Sequence, residues 1–507
     1  MKKVKKVLAL LLAASLCAGT SACKPSTSSS GNSTSSAPVK VVMACIGFNN
    51  ASNAIPKIDA KLNELLKKDN ITVDWQLYGP ADYNTKCNLA MESGAQLDLF
   101  IPLDFATVLS KKQAYPMETL IDKYAQGSKN MLYQDFGTDA FKSVTVNGHI
   151  YGMPVNRGQA VNPWFIYDAA MLKETGFKAD DIKSMEDLPK IFDAVKAKHP
   201  NTICFAPLNV NPSDTMTLYT TKLLNKVDNL TDRYGDGVVV GNSGKVVDLY
   251  ETDIFKNCAN MMRSWYLKGY LAKDAATTTT NATDLIKAGR AFSTIGGYNG
   301  NQQGVALLHT GLEEKPMGVV KLSNFYFDTQ ASQMAWVISS NSKHPDAAMK
   351  LLNETMTNKE VLNTLLYGIE GEDYVKVDSD HVKYPDGKTA ATVPYTAQLC
   401  SGVLGSEKLQ YLLEGTTTEY RDSKITDNKS TPRSPYFGFT FDQSSVKTEM
   451  SAIVNVYNQY YSGLVTGSVD PATTLPKYVK ALKDAGMDTV IKEKQKQLDQ
   501  WVASQKK

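Results

Sequence analysis

Val39–Ile46 reads VKVVMACI, and Ile71–Leu77 (ITVDWQL) and Leu97–Pro102 (LDLFIP) repeat that kind of apolar run at short intervals. Between the first two, Pro56–Lys68 puts Ile58, Leu62, Leu65 and Leu66 on one helical face, behind a proline that suits a first helical turn. Between the second and third, Asp82–Glu92 reads as a helix ended by Gly94. Strands and helices alternating at this spacing predict a doubly wound, largely parallel α/β sheet. Ligands of such sheets bind beyond the carboxyl ends of the strands. The loops carrying Phe48 and Asn49, and Asp104 and Phe105, are therefore the first candidates for a binding site.

Upstream of this sheet the chain is of another kind. Lys2, Lys3, Lys5 and Lys6 precede an apolar run from Val7 to Ala18, and small residues lead to Cys23. A basic start, a short apolar core and small residues before a cut site describe a secretory signal peptide over residues 1–22. Residues 23–38 are rich in Ser, Thr, Gly and Asn, a composition that forms a tether rather than a core.

Downstream, a second α/β region follows Pro154. Trp164–Tyr167 and Thr202–Pro207 read as strands, Ser184–Lys198 as a helix, and Ser332–Ser339 as a further strand. Helices are expected over Pro345–Asn353 and Lys359–Tyr367, and Asp373–Val393 reads as an irregular excursion. Val446, Met450, Ile453, Val454, Tyr457, Tyr461 and Leu464 then form a helical stripe, with Asp442 and Ser445 as its expected caps. Two more helices complete a helical C-terminal region.

Composition narrows the function. The 507 residues are 42% hydrophobic and carry a net charge of +3, and removal of the four signal lysines leaves the mature chain near neutral. Nothing in this balance attracts nucleic acid. Of the seven cysteines, Cys17 leaves with the signal, and the set after Cys23 is odd in number with no CxxC spacing, so no disulfide scaffold is expected. No P-loop, G-x-S-x-G or H-E-x-x-H occurs, and the five histidines are scattered, so neither a metal nor a cofactor is expected. Asp232-x-x-x-Asp236-Gly237 has the outline of a calcium loop, but Tyr234 stands where an oxygen ligand is needed.

Asn147-Gly148-His149-Ile150-Tyr151-Gly152-Met153-Pro154 is the most specific internal motif. It combines a hairpin turn signal with a permissive glycine and a direction-setting proline. It resembles the G-K-x-Y-G-x-P stretch of extracellular solute-binding proteins of ABC importers, with His149 in place of the usual Lys. Ala288–Phe292 running into Ile295–Tyr298, and Trp336–Ser342 followed by His344–Ala348, are similar to that family's cleft strand and return crossover. Tyr367–Tyr374 and Gln497–Trp501 resemble a subgroup of Gram-positive lipoproteins. Cys23 resembles the lipidated cysteine of such proteins, with Thr20 where they usually carry Leu.

The resemblance implies a two-lobed, periplasmic-binding-protein-like fold, each lobe a mostly parallel sheet flanked by helices. Lobe 1 is expected over 39–153 plus about 336–394, and lobe 2 over 154–335 plus about 395–507. It further implies a monomer, lipid-anchored on the outer face of the cell membrane, that delivers solute to permease subunits. Flat sugar faces stack on aromatic rings while polar side chains take the hydroxyls, so an oligosaccharide suits the residues at hand. The expected ligand-binding set is Phe48, Asn49, Asp104, Phe105, Asn156, Arg157, Gln159, Trp164, Tyr298, Trp336, Tyr436 and Phe437. The alternatives are a peptide or other polar solute, or a secreted carbohydrate hydrolase using Glu370, Glu372 and Asp373.

Overall fold

The computed structural model describes residues 37–47, 53–206, 226–231, 234, 237–324 and 334–505. The signal peptide and Cys23 lie outside the described residues, as do Phe48, Asn49 and most of the Asp232–Asp236 loop. Pro38–Lys507 forms one compact unit. Among the described residues, no helix is long and apolar enough to cross a membrane.

The first sheet comprises β1 (Val39–Ile46), β2 (Ile71–Tyr78), β3 (Leu99–Phe100) and β4 (Met153–Pro154). The second comprises β5 (Asn162–Asp168), β6 (Ile203–Ala206), β7 (Ala291–Tyr298) and β8 (Met317–Lys321). The chain then returns through β9 (Ala335–Ile338) to the first sheet, whose order is β2-β1-β3-β9-β4, against β8-β5-β7-β6 for the second. β1 runs parallel to β2 and β3, in register from Val39 opposite Ile71. The helices between these strands, α1 (Ile55–Leu65) and α2 (Tyr83–Ser93), stand where the periodicity placed them. Pro56 opens α1, and Gly94 ends α2 in the left-handed conformation that glycine adopts without steric cost.

The sheets are mixed rather than mostly parallel. β9 is antiparallel to β3 and β4, and β5 is antiparallel to both β7 and β8.

Two large apolar cores result. The first gathers Met43, Leu62, Trp75 and Leu99 with the helix Pro345–Thr357; the second gathers Phe165, Phe192, Phe292 and Trp265 with the C-terminal helices. Tyr395, Ala397, Cys400, Leu404 and Tyr411 belong to the first core. These residues lie beyond 394, where the first lobe was expected to end, and Cys400 among them reaches the carboxyl end of β1 at Ile46. The helix expected from Val446 spans Lys447–Val465, and neither Asp442 nor Ser445 caps it: Val446 holds the cap position without a side-chain hydrogen bond.

Candidate functional site

Pairing puts the carboxyl end of β3 and the exit of β4 on one side of the first sheet, since Phe100 and Pro154 both lie opposite β9. In the second sheet Asn162 pairs with Tyr298, so the start of β5 and the end of β7 share an edge. Residues 155–161 join those two edges directly, and a meeting place between the sheets follows.

The crossover is held by a polar network. Asn156 donates to Asp135 Oδ2 at 2.8 Å and to Ser406 Oγ at 3.0 Å. Gly158 N donates to Glu407 Oε2 at 3.0 Å, and Lys424 Nζ donates to Glu407 Oε1 at the same distance. Lys424 and Asn428 come from α3 (Thr418–Ser430). Asn299, just past β7, donates to Gly158 O at 2.6 Å and ties the second sheet to the crossover.

Arg157 stands apart from this network. Its Nε is buried without a hydrogen-bond partner, and no described carboxylate lies within ion-pair distance of the guanidinium. Burial lowers its pKa, while the charge of Glu407 acts in the opposite direction. A Cβ added to Gly402 would lie 3.3 Å from Arg157 Nη1, so the guanidinium runs beside the 3-10 turn Gln398–Val403. That turn covers the end of β1, where Cys400 Sγ donates to Ile46 O at 3.0 Å. A buried N–H without a partner is costly, and the half-buried guanidinium that carries it is a group a ligand oxygen would satisfy.

The other expected residues divide sharply. Asp104 is exposed at the carboxyl end of β3, where it caps the helix Phe105–Ser110 by accepting from Thr107 N at 3.0 Å and from the Thr107 hydroxyl at 2.8 Å. Tyr298 is half-buried, its ring edge-on to His309 at 4.6 Å between centroids. Phe105 is buried in the first core. Trp164 donates to Tyr298 O at 2.9 Å and Trp336 to Val403 O at 2.8 Å; both rings are buried. Asn156 and Gln159 are buried in the crossover network, and Gln159 N donates to Asn428 Oδ1 at 2.7 Å. Tyr436 and Phe437, expected to bind ligand from a loop flanked by Pro435 and Gly438, are buried: Gly244 N donates to the Tyr436 hydroxyl, and the Arg433 guanidinium sits over Phe437. Proline and glycine on either side marked a turn correctly, but nothing local indicated that the turn folds inward.

Glu370, Glu372 and Asp373 do not converge. Glu370 pairs with Lys376 and Glu372 with Lys57, while Asp373 accepts from Ile369 N and Tyr395 N. Each carboxylate is engaged in local structure. Cys45, Cys87, Cys204, Cys258 and Cys400 are free thiols and buried. Among the described residues, no cluster of His, Cys, Asp and Glu is arranged to hold a metal ion.

Sequence reading missed a cavity of about 1090 Å³ between the helix Phe105–Ser110 with the hairpin at Asn147–Gly148 and the C-terminal helix α4 (Met487–Ser504). Its walls come from segments more than 300 residues apart, so no local signal could reveal it.

Two α/β cores joined by crossovers, with a polar hinge and an unsatisfied cation where they meet, define a two-lobed solute-binding protein. The model of the bacterial extracellular solute-binding protein family matches residues 58–369, and the chain belongs to that family. A domain of unknown function, DUF3502, matches residues 435–503. A carbohydrate ABC transporter substrate-binding protein of Streptococcus pneumoniae is 29% identical over the whole of both chains. The N-glycan transport solute-binding protein NgtS of Streptococcus pneumoniae is 26% identical, its crystal structure matching 92% of this chain and 100% of its own with a TM-score of 0.78. In complex with Man5GlcNAc, NgtS matches 92% of this chain and 99% of its own with a TM-score of 0.68.

Proposed function

We propose that the chain captures an oligosaccharide between its two lobes and presents it to the permease of an ABC importer, tethered to the outer face of the membrane through a lipid on Cys23. The observation that carries the binding reading is the half-buried Arg157 on the crossover between the sheets, whose Nε is buried without a hydrogen-bond partner. Asp104 at the end of β3 and Tyr298 at the end of β7 supply a carboxylate and an aromatic face from opposite sheets. Phe48 and Asn49 follow β1 in the chain and complete the set by sequence. One copy suffices to form the cleft, since both lobes come from one chain.

Capture by closure follows from this arrangement. A ligand that touches both lobes binds the closed form better than the open one and shifts the population toward it. The TM-score falls from 0.78 to 0.68 between NgtS described without a glycan and NgtS with Man5GlcNAc, at the same identity. This chain is thus more similar in shape to the first of these structures than to the Man5GlcNAc complex.

The carbohydrate reading draws on the relatives' ligands and on the near-neutral mix of amides, hydroxyls and rings at the strand ends. A thermal-shift screen of the mature chain against Man5GlcNAc, simple sugars and short peptides tests it, because a ligand specific to the folded state raises Tm by mass action. A saturable shift with intact glycan supports the proposal. A shift confined to peptides overturns the solute class, and release of shortened sugars overturns the binding role in favour of a hydrolase.

A further inference from the structure

Lys494 has no access to solvent: it is 0% exposed, on a face of α4 whose other buried members are Met487, Val490 and Leu498. A lysine on an apolar face ordinarily buries its stem and leaves the ammonium in water. Here Nζ donates instead to Gly237 O at 3.0 Å and lies 4.8 Å from the centroid of the Phe441 ring. Burying an ammonium is costly unless oxygen ligands and negative charge meet it. Gly237 shows where those come from, because it closes the Asp232-x-x-x-Asp236-Gly237 stretch that has the outline of a calcium loop.

The residues of that outline do not fit the ion. Counted from Asp232, a calcium loop needs an oxygen ligand at its third position, a main-chain carbonyl at its seventh and a bidentate carboxylate at its twelfth. Tyr234 holds the third; its ring packs edge-on to Tyr457 at 5.2 Å between centroids, and its carbonyl accepts from the Tyr250 hydroxyl. Val238 holds the seventh, and its carbonyl accepts from Val247 N at 2.9 Å. Ser243 holds the twelfth, an exposed hydroxyl that accepts from Lys245 N at 3.4 Å. Gly237 keeps the conformational feature of such a loop: its φ of +106° makes the sharp turn needed at the sixth position.

We propose that Lys494 is the built-in cation of this loop: its ammonium takes the place of a calcium ion, and the second lobe holds its shape without a divalent metal. The ammonium lies directly against the turn, since a Cβ added to Gly237 would be 3.3 Å from Nζ. The C-terminal region also grips the stretch on either side. Phe441 N donates to Thr231 Oγ1 at 3.2 Å before it, while Gln495 accepts from Val246 N at 2.7 Å and donates to Gly244 O at 3.0 Å beyond it. Charge agrees with the exchange. By sequence the outline carries two carboxylates, Asp232 and Asp236, fewer than a calcium loop supplies, and a single positive charge suits the smaller number. A tethered ammonium is present at every calcium concentration, so folding and solute capture become independent of the metal supply.

Thermal unfolding of the mature chain, with millimolar calcium chloride or with excess EDTA, tests this. The wild type is expected to show the same Tm in both. Lys494→Ala empties the place and is expected to lower Tm in EDTA, with calcium raising it again by about 2–4 °C or more, as an ion bound only by the folded state does. If Lys494→Ala does not fold in EDTA, refolding in calcium is expected to recover it. Lys494→Met fills the same space without the charge and is expected to lose stability that calcium does not restore. A wild-type Tm raised by calcium or lowered by EDTA overturns the proposal, because the loop would then take its own ion. Lys494→Ala that gains nothing from calcium, either in Tm or in refolding, overturns it by making Lys494 a packing residue. An equal gain in Lys494→Met and Lys494→Ala overturns it as well, since calcium would be acting elsewhere.

Discussion

The carboxamide of Asn428 grips the backbone of the interlobe crossover from α3, donating to Arg157 O at 2.7 Å and accepting from Gln159 N at 2.7 Å. One side chain thereby satisfies two buried main-chain groups on either side of Gly158. It fixes the path of the segment that carries Arg157 without touching the guanidinium. Asn428→Ala leaves both backbone groups unsatisfied and is expected to cost about 2–4 kcal/mol in urea-induced unfolding. A loss under half a kilocalorie per mole would mean that water replaces the amide and that the grip is not structural.

Arg157 calls for the opposite outcome. Its Nε is buried without a hydrogen-bond partner, so Arg157→Ala removes a partly desolvated charge that opposes folding. Thermal unfolding is expected to show a Tm equal to or above that of the wild type, while glycan affinity falls about tenfold or more. A variant that loses stability but keeps its affinity would assign Arg157 to the scaffold instead.

Gly405 adopts φ +57°, and a Cβ there would lie 2.2 Å from Thr355 O. Its own carbonyl accepts from Asn156 N at 3.1 Å, so it packs directly against the crossover. Both backbone conformation and space require glycine here. Gly405→Ala is expected to destabilise by about 3–5 kcal/mol, measured by denaturant unfolding. A wild-type midpoint would contradict the close approach.

Burial pushes the Asp248 carboxyl up to about 7. Its Oδ1 accepts from Tyr250 N at 2.8 Å, whereas Oδ2 is buried without a partner. A carboxyl whose pKa is raised in the folded state favours folding while it is protonated. That contribution is whole below the unfolded value, about 4, and is lost as pH rises through about 7. Asp248→Asn retains the acceptor and removes the charge. It is expected to raise stability by about 1–3 kcal/mol at about pH 8 and to make little difference near pH 4, read as the Tm difference at the two values. A difference independent of pH would exclude ionisation as the cause.

Pro38–Lys507 forms a compact unit by itself. A chain beginning at Pro38 is expected to fold and to bind glycan with the affinity of the full mature protein, measured by calorimetry. A large loss of affinity would give the residues before Pro38 a role in binding.

Much of the architecture follows from local pattern alone. The apolar runs at 39–46 and 71–77, the helix stops at Gly94 and Gly368, and the helical stripe from Met450 to Leu464 depend on period and on backbone preference, which adjacent residues specify. The export signal expected over residues 1–22 likewise rests on composition over a few residues. Which aromatic rings are free to meet a ligand is another kind of question. Trp164, Trp336, Tyr436 and Phe437 carry the residue types and flanking turns of a sugar site, yet each is buried by segments distant in sequence, such as Val403 over Trp336 and Gly244 at Tyr436. Burial is a sum over the whole fold, so the neighbours along the chain do not report it. The same holds for the pairing of Asn428 with Arg157, 271 residues away, and for the groove at Trp501. Periodicity sets which face of an element is apolar, and long-range packing sets what that face meets.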